Sequence, residues 1–107
     1  MLHPSELNKK DILNYLSGGV CKVHFRKVTD GRFRSLYCTL SPTILPREYQ
    51  KYINEIFYNQ LDLILVYDII DKTWKSFYIQ SILYFYTPQD LYQSRTETEK
   101  IKNIKKI

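Results

Sequence analysis

Glycine and cysteine are scarce in this 107-residue chain, which has 3 Gly and 2 Cys, and each scarcity removes a class of mechanism. So few glycines leave no Gly-rich loop to cradle phosphates, and no Walker pattern is present. Cys21 and Cys38 together with His3 and His24 show neither a Cys-x-x-Cys nor a His-x-x-x-His spacing that would close a tetrahedron around zinc. Neither a metal site nor another cofactor is expected. Met1-Leu2-His3-Pro4 offers no basic n-region and no apolar h-region, so the expectation is an intracellular chain with buried thiols rather than a disulfide framework. Long apolar runs are missing too. A run such as Leu63 to Tyr67 has a strand's length, far short of the ~20 residues that span a bilayer, and no membrane is expected among the partners.

Catalytic constellations are equally thin. His24 stands alone on a basic segment, and no Ser-His-acid order occurs. Thiols on an apolar strand face are poor nucleophiles, and a pair such as Asp68 and Asp71 suits the shaping of a turn better than acid–base work. No enzyme is expected.

What is present is enough apolar matter for one core. The chain is 44% hydrophobic and 15% aromatic, too rich for general disorder, and its length fits a single domain. Residues 1–88 are expected to form that domain and 89–107 a basic C-terminal tail. Charge is placed unevenly. Residues 20–40 carry Lys22, Arg26, Lys27, Arg32 and Arg34 against Asp30 alone, while residues 55–90 carry five carboxylates against Lys72 and Lys75. The tail is basic again, with Arg95, Lys100, Lys102, Lys105 and Lys106 against Glu97 and Glu99. Such asymmetry suits a molecule in which one face or arm meets a polyanion and another does not; a solvated surface would show it as well.

Periodicity predicts the elements. Ser5 as N-cap, a stripe of Ile12, Leu13 and Leu16 with Leu7 beside it, and Gly18-Gly19 as a stop predict a helix over about 5–16. Residues 20–28 alternate Cys21, Val23 and Phe25 with Lys22, His24 and Arg26, the period of a half-buried strand. Asp30-Gly31 then reads as a tight turn, and residues 32–40 return with Leu36, Cys38 and Leu40 on one side and Phe33, Ser35, Tyr37 and Thr39 on the other. Pro46 opens an inserted helical segment over about 46–57. Strands follow over 61–69, 73–80 and 82–86, the last stopped by Pro88. Five short strands with little room for crossovers predict a mainly β fold, a small, bent, five-stranded barrel with an N-terminal helix and a short inserted one. In the tail, Ile101, Ile104 and Ile107 would share one stripe of a helix, but one or two turns are marginal in water.

The order Gly19-Val20-Cys21-Lys22-Val23-His24-Phe25-Arg26-Lys27, Asp30-Gly31, Arg34, Cys38-Thr39-Leu40, Leu45-Pro46, Leu65-Val66-Tyr67-Asp68 and Trp74-Lys75-Ser76-Phe77 resembles the small WYL-like proteins of bacteriophages, over roughly residues 10–84. That resemblance implies an Sm-like barrel and a phage accessory or regulatory role in the cytoplasm of an infected bacterium. The Tyr-rich stretch after Pro46 and the Lys-rich tail depart from the pattern.

Two binding surfaces are candidates. Lys22, Arg26, Arg32 and Arg34 fall on adjacent strands, where neighbouring like charges repel unless phosphates, or Asp62, Asp68 and Asp71 folding back, neutralise them. With Trp74, Lys75 and Tyr78 they are the candidate nucleic-acid-binding set, Trp74 or Tyr78 stacking on single-stranded DNA or RNA. Phe77 and Phe85 read as core, and Trp74 as a cap on one end of it if it does not stack. Tyr84 and Tyr86 are the candidate interface for a host or phage protein or for a second copy of the chain, since tyrosine is favoured at interfaces.

Overall fold

A computed structural model describes residues 1–58 and 62–92. Five antiparallel strands form one sheet: β1 (Val20–Arg26), β2 (Phe33–Thr39), β3 (Leu63–Asp68), β4 (Thr73–Tyr78) and β5 (Ile82–Tyr86), in the order β4-β3-β2-β1-β5. β4 and β5 occupy the two ends of that order and do not pair with each other, so the sheet is open rather than closed. Of the tail expected from residue 89, residues 93–107 lie outside the described residues, as does Leu61 at the start of the expected third strand.

The chain enters through a 3-10 turn, Pro4–Glu6, followed by helix α1 (Lys9–Ser17). Ser5 lies inside that turn. The N-cap is Asn8, whose side-chain oxygen accepts the backbone N–H of Asp11 at 2.9 Å, so the helix begins later than the Ser5 signal predicts. Pro4 accounts for the difference: it sets a first, separate turn, and the extended Leu7 divides it from the helix proper. Ile12, Leu13 and Leu16 are buried as the stripe predicts.

β1 and β2 run in the register Val20↔Thr39 to Arg26↔Phe33, which sets Cys21 opposite Cys38 and Val23 opposite Leu36 on the inner face. Asp30-Gly31 is not a two-residue turn. It closes a longer loop in which the Lys27 N–H donates to the Arg32 carbonyl, the Gly31 N–H donates to the Lys27 carbonyl, and Gly31 takes φ +71°. A side chain at Gly31 would be strained there. Gly19 matters for space: a Cβ there would approach Pro88 to 3.1 Å.

Between β2 and β3, Pro46 precedes a 3-10 segment, Arg47–Tyr52, that runs into the short helix α2 (Ile53–Tyr58). β2 and β3 share only the pairs Cys38↔Asp68 and Thr39↔Tyr67, so the sheet splays and curls at that seam. Phe25 of β1 and Phe77 of β4, separated by two strands in the sheet order, bring their rings to 5.5 Å across the concave side. The core fills that concavity with Ile12 and Leu16 of α1, Val23, Phe25, Leu40, Ile64, Val66, Phe77, Ile82 and Phe85. Burying a residue such as Phe85 stabilises by roughly 1.5–3 kcal/mol.

The β3–β4 turn is tied down by charge. Asp68 is buried, and its Oδ1 accepts the N–H groups of Ile70 and Asp71. Its Oδ2 meets the Lys75 ammonium at 3.1 Å, and Lys75 also bonds Asp71. These bonds hold Lys72 at φ +56°, a conformation that costs a side-chain-bearing residue about 1–2 kcal/mol. Asp68 and Asp71 therefore shape the turn, as their sequence position suggests.

Candidate nucleic-acid interface

Antiparallel register decides which side chains share a face. Because β1 pairs with β2 on one side and β5 on the other, Lys22 stands between Tyr37 and Tyr86, and His24 between Ser35 and Tyr84. Arg26 stands opposite Phe33. These eight residues form the convex, outward face of β2-β1-β5, and none is acidic.

Rings lie beside each cation. The Lys22 ammonium lies 5.3 Å from the centre of the Tyr37 ring and 5.7 Å from that of Tyr86. The Arg26 guanidinium lies 5.9 Å from the Phe33 ring, while its Nε donates to the Gly31 carbonyl at 3.1 Å. His24 meets Tyr86 edge-on at 5.7 Å and Tyr84 at 6.3 Å, and His3 approaches the same Tyr84 at 5.6 Å. The repulsion between neighbouring cations is thus relieved in part by aromatic quadrupoles. Asp68 and Asp71 turn to Lys75, and Asp62 accepts from Gln80, so the prospect of these acids folding back on the hairpin is not realised.

A bulge in β5 shapes the edge of this face. The register with β1 shifts between His24 and Phe25, so that Ile82 and Phe85 point inward while Leu83 and Tyr84 both point outward. Tyr84 is 41% exposed and Phe33 71%, which leaves their rings open to a partner. The His24 imidazole is held below its ordinary pKa of 6.5, first by partial burial and then by the Lys22 charge.

The residues singled out from sequence fall into four places. Lys22 and Arg26 lie on this face, with Tyr84 and Tyr86 beside them rather than on a separate surface. Arg32 is in the exposed loop, its N–H held by the Asp30 carboxylate at 2.9 Å. Arg34 is in register with the inward-facing Phe25, which puts it on the other side of the sheet from Lys22, exposed at the end of the strand. Trp74, Lys75 and Tyr78 belong to β4. Trp74 is half-buried in a cluster with Tyr49 and Tyr67, at 5.4 and 5.7 Å, beneath the 47–58 segment, and it lines a cleft of about 320 Å³ with Tyr52, Ile56 and Leu65. Lys75 is held by its two aspartates, and Tyr78 is exposed beside Leu63, its partner in β3.

His24, Phe33 and Tyr37 complete the face without having been among the candidates. Their signal was alternation, which sets His24 on the side of Lys22 and Arg26 and sets Phe33 and Tyr37 on the side of β2 away from Leu36 and Cys38; the loop then brings Tyr37 opposite Lys22 and Phe33 opposite Arg26.

Cys21 and Cys38 are free, fully buried thiols. Burial, with Asp90 adding to it, pushes Cys21 up to about 12, and burial drives Cys38 well above the ordinary thiol range. Thiols in that state are not nucleophiles at neutral pH. No helix among the described residues is long and apolar enough to cross a membrane. No protein-family model, curated protein or solved structure matches the chain.

Proposed function

We propose that this chain is a non-catalytic binding protein whose convex β2-β1-β5 face holds nucleic acid, with single-stranded DNA or RNA as the favoured form. The observation that carries this reading is the alternation, on one acid-free face, of Lys22, His24 and Arg26 with Tyr37, Tyr84, Tyr86 and Phe33. Cations hold phosphates, and open rings stack on bases whatever their identity. The motif order that resembles phage WYL-like proteins extends the reading to an accessory or regulatory role in the cytoplasm of an infected bacterium. The fold is read as a variant of the Sm-like barrel, supported by the strand order, by the 3-10 turn Ile79–Ser81 between β4 and β5, and by the Phe25–Phe77 contact across the concave side.

The test is fluorescence polarisation of labelled single-stranded DNA, RNA and duplex DNA at low and moderate salt. Each neutralised phosphate on a single strand contributes about 0.7 to the slope of log affinity against log salt, so replacing both Lys22 and Arg26 by Ala flattens that slope by about 1.4. Arg32 and Arg34, off the face, contribute less. Absence of binding at low salt would refute the reading.

A second reading is favoured by the β5 bulge, which exposes Leu83 and Tyr84 side by side. In it the chain is a protein-interaction module that inhibits a host protein or self-assembles through Tyr84 and Tyr86. Light scattering that shows a strict monomer, before and after Tyr84→Ala, removes self-assembly. Leu2 already occupies part of the outer edge of β5, exchanging backbone hydrogen bonds with Phe85 at 2.8 and 3.0 Å.

A further inference from the structure

We propose that the convex face takes an extended, unpaired strand of three nucleotides laid along β1, one base to each two-residue step. This rests on the nucleic-acid reading and adds the ligand's extended conformation, its path along β1 and its length.

Outward residues recur at every second position of β1, so Lys22, His24 and Arg26 are spaced about 6.8 Å apart. That is roughly twice the 3.4 Å advance per base along one strand of a duplex. Bases that remain stacked on one another therefore cannot meet successive steps. Bases of an unstacked, extended strand can, and every step offers a ring with a positive or titratable group. At the first, Lys22 lies between Tyr37 and Tyr86; at the second, His24 lies against Tyr84; at the third, Arg26 lies against Phe33.

The same register limits the number of steps. Preceding Lys22, the outward pair is Val20 and Thr39. Thr39 is buried, and its hydroxyl is bonded to the carbonyls of Gly19 and Leu16, so that step has neither an open ring nor a charge. Following Arg26, the strand ends in the loop closed by the Lys27–Arg32 hydrogen bond. A duplex would present stacked, paired bases whose faces are covered, leaving the Phe33 and Tyr84 rings without partners.

The experiment is an NMR titration of the isotope-labelled full chain with oligothymidylates of two to six nucleotides and with a short duplex, at low salt and neutral pH. The expected result is amide shifts confined to β1, β2 and β5, affinity that rises steeply from two to three nucleotides, and only a few-fold further gain from three to six. Phe33→Ala and Tyr84→Ala each lower single-strand affinity about tenfold, within the 1–3 kcal/mol that a stacked base contributes, and leave duplex binding unchanged. Phe33→Leu, which keeps apolar bulk but has no π-face, behaves as Phe33→Ala and separates stacking from folding. A duplex that binds as tightly as the single strand, or affinity that climbs evenly to six nucleotides with no response to Phe33→Leu, overturns the stepwise strand and leaves the polyanion face standing. No shift with any oligonucleotide overturns both.

Discussion

Both halves of the sheet carry aromatic rings on their convex side, and the two sets are used differently. On β2-β1-β5 the rings alternate with Lys22, His24 and Arg26, with Phe33 and Tyr84 open to solvent and Tyr37 and Tyr86 half-buried beside Lys22. On β3-β4 the rings of Tyr67 and Trp74 meet each other and Tyr49, under the segment inserted between β2 and β3. What a ring touches decides what it is available for. A ring beside a cation keeps a face free and adds affinity for a charged, flat ligand; a ring against rings is a packing element. The inserted segment makes the difference, because it covers one half of the sheet and leaves the other uncovered.

The contrast breaks if stability fails to follow it. Trp74→Ala should cost about 3 kcal/mol, near the lower end for removing a large aromatic from a packed site, since the indole is only half-buried. Phe33→Ala should stay within about 0.5 kcal/mol, as an exposed substitution does. Urea denaturation of the two variants decides it. Equal losses would mean that the open rings hold the sheet together and are not held in reserve for a ligand.

The turns of the two halves differ in kind as well. The β1–β2 loop is closed by backbone bonds and Arg26, whereas the β3–β4 turn depends on the Asp68 carboxylate. Burial pushes the Asp68 pKa up, but the amides of Asp71 and Ile70 and the Lys75 ammonium outweigh it and hold the group below the ordinary value of 3.8. A carboxyl with a depressed folded pKa contributes stability that is full above the unfolded value and is lost as pH falls through the folded one. Acid titration should therefore show a loss below about pH 4, a typical unfolded carboxyl value, that Asp68→Asn reduces, the remainder including Asp90, whose carboxyl, despite burial, is likewise held below its ordinary value by the N-terminal ammonium and Thr87. At neutral pH, Lys75→Met should cost about 1–2 kcal/mol, less than a wholly buried pair because the two amides still bond Asp68.

Local pattern made the strands and the buried stripe of α1 legible. Alternation in residues 20–40 is enough to place Cys21, Val23, Phe25, Leu36 and Cys38 inside and to set Tyr37 on the same outward side of the hairpin as Lys22. Three things were not legible, each for a physical reason. The pairing of β5 with β1, which brings Tyr84 and Tyr86 to Lys22 and His24, is a long-range choice that no local period encodes. The bulge that turns Leu83 and Tyr84 the same way breaks the alternation from which facing is read. The burial of Trp74 depends on where Tyr49, 25 positions earlier, comes to rest against it. The separation of Arg34 from Lys22 is the converse case: alternation already sets Arg34 on the side of Leu36, and charge counted by segment hides that parity.

The finest test of the open face lies in its pH dependence. His24 is faced by Lys22 and Arg26 from its own strand and by Tyr84 and Tyr86 from β5, with His3 on the far side of Tyr84 and no acid in the set. In the free protein its pKa is lowered, by burial first and by Lys22 second, so the unfolded chain binds a proton more readily than the folded one does. As pH falls below 6.5, His24 therefore subtracts from stability. A phosphate beside the ring reverses that preference, because an adjacent negative charge favours the imidazolium. Affinity for a single strand should thus rise as pH falls through the same window, by about fivefold if one phosphate adds roughly 1 kcal/mol to the protonated form. Stability and affinity then move in opposite directions with acid, and His24→Gln should flatten both. A partner held through Tyr84 and Leu83 alone would leave affinity insensitive to pH between about 5 and 7, the range in which an exposed imidazole titrates. Polarisation titrations at pH 5.5 and 7.5 on the wild type and the His24 variant separate the two.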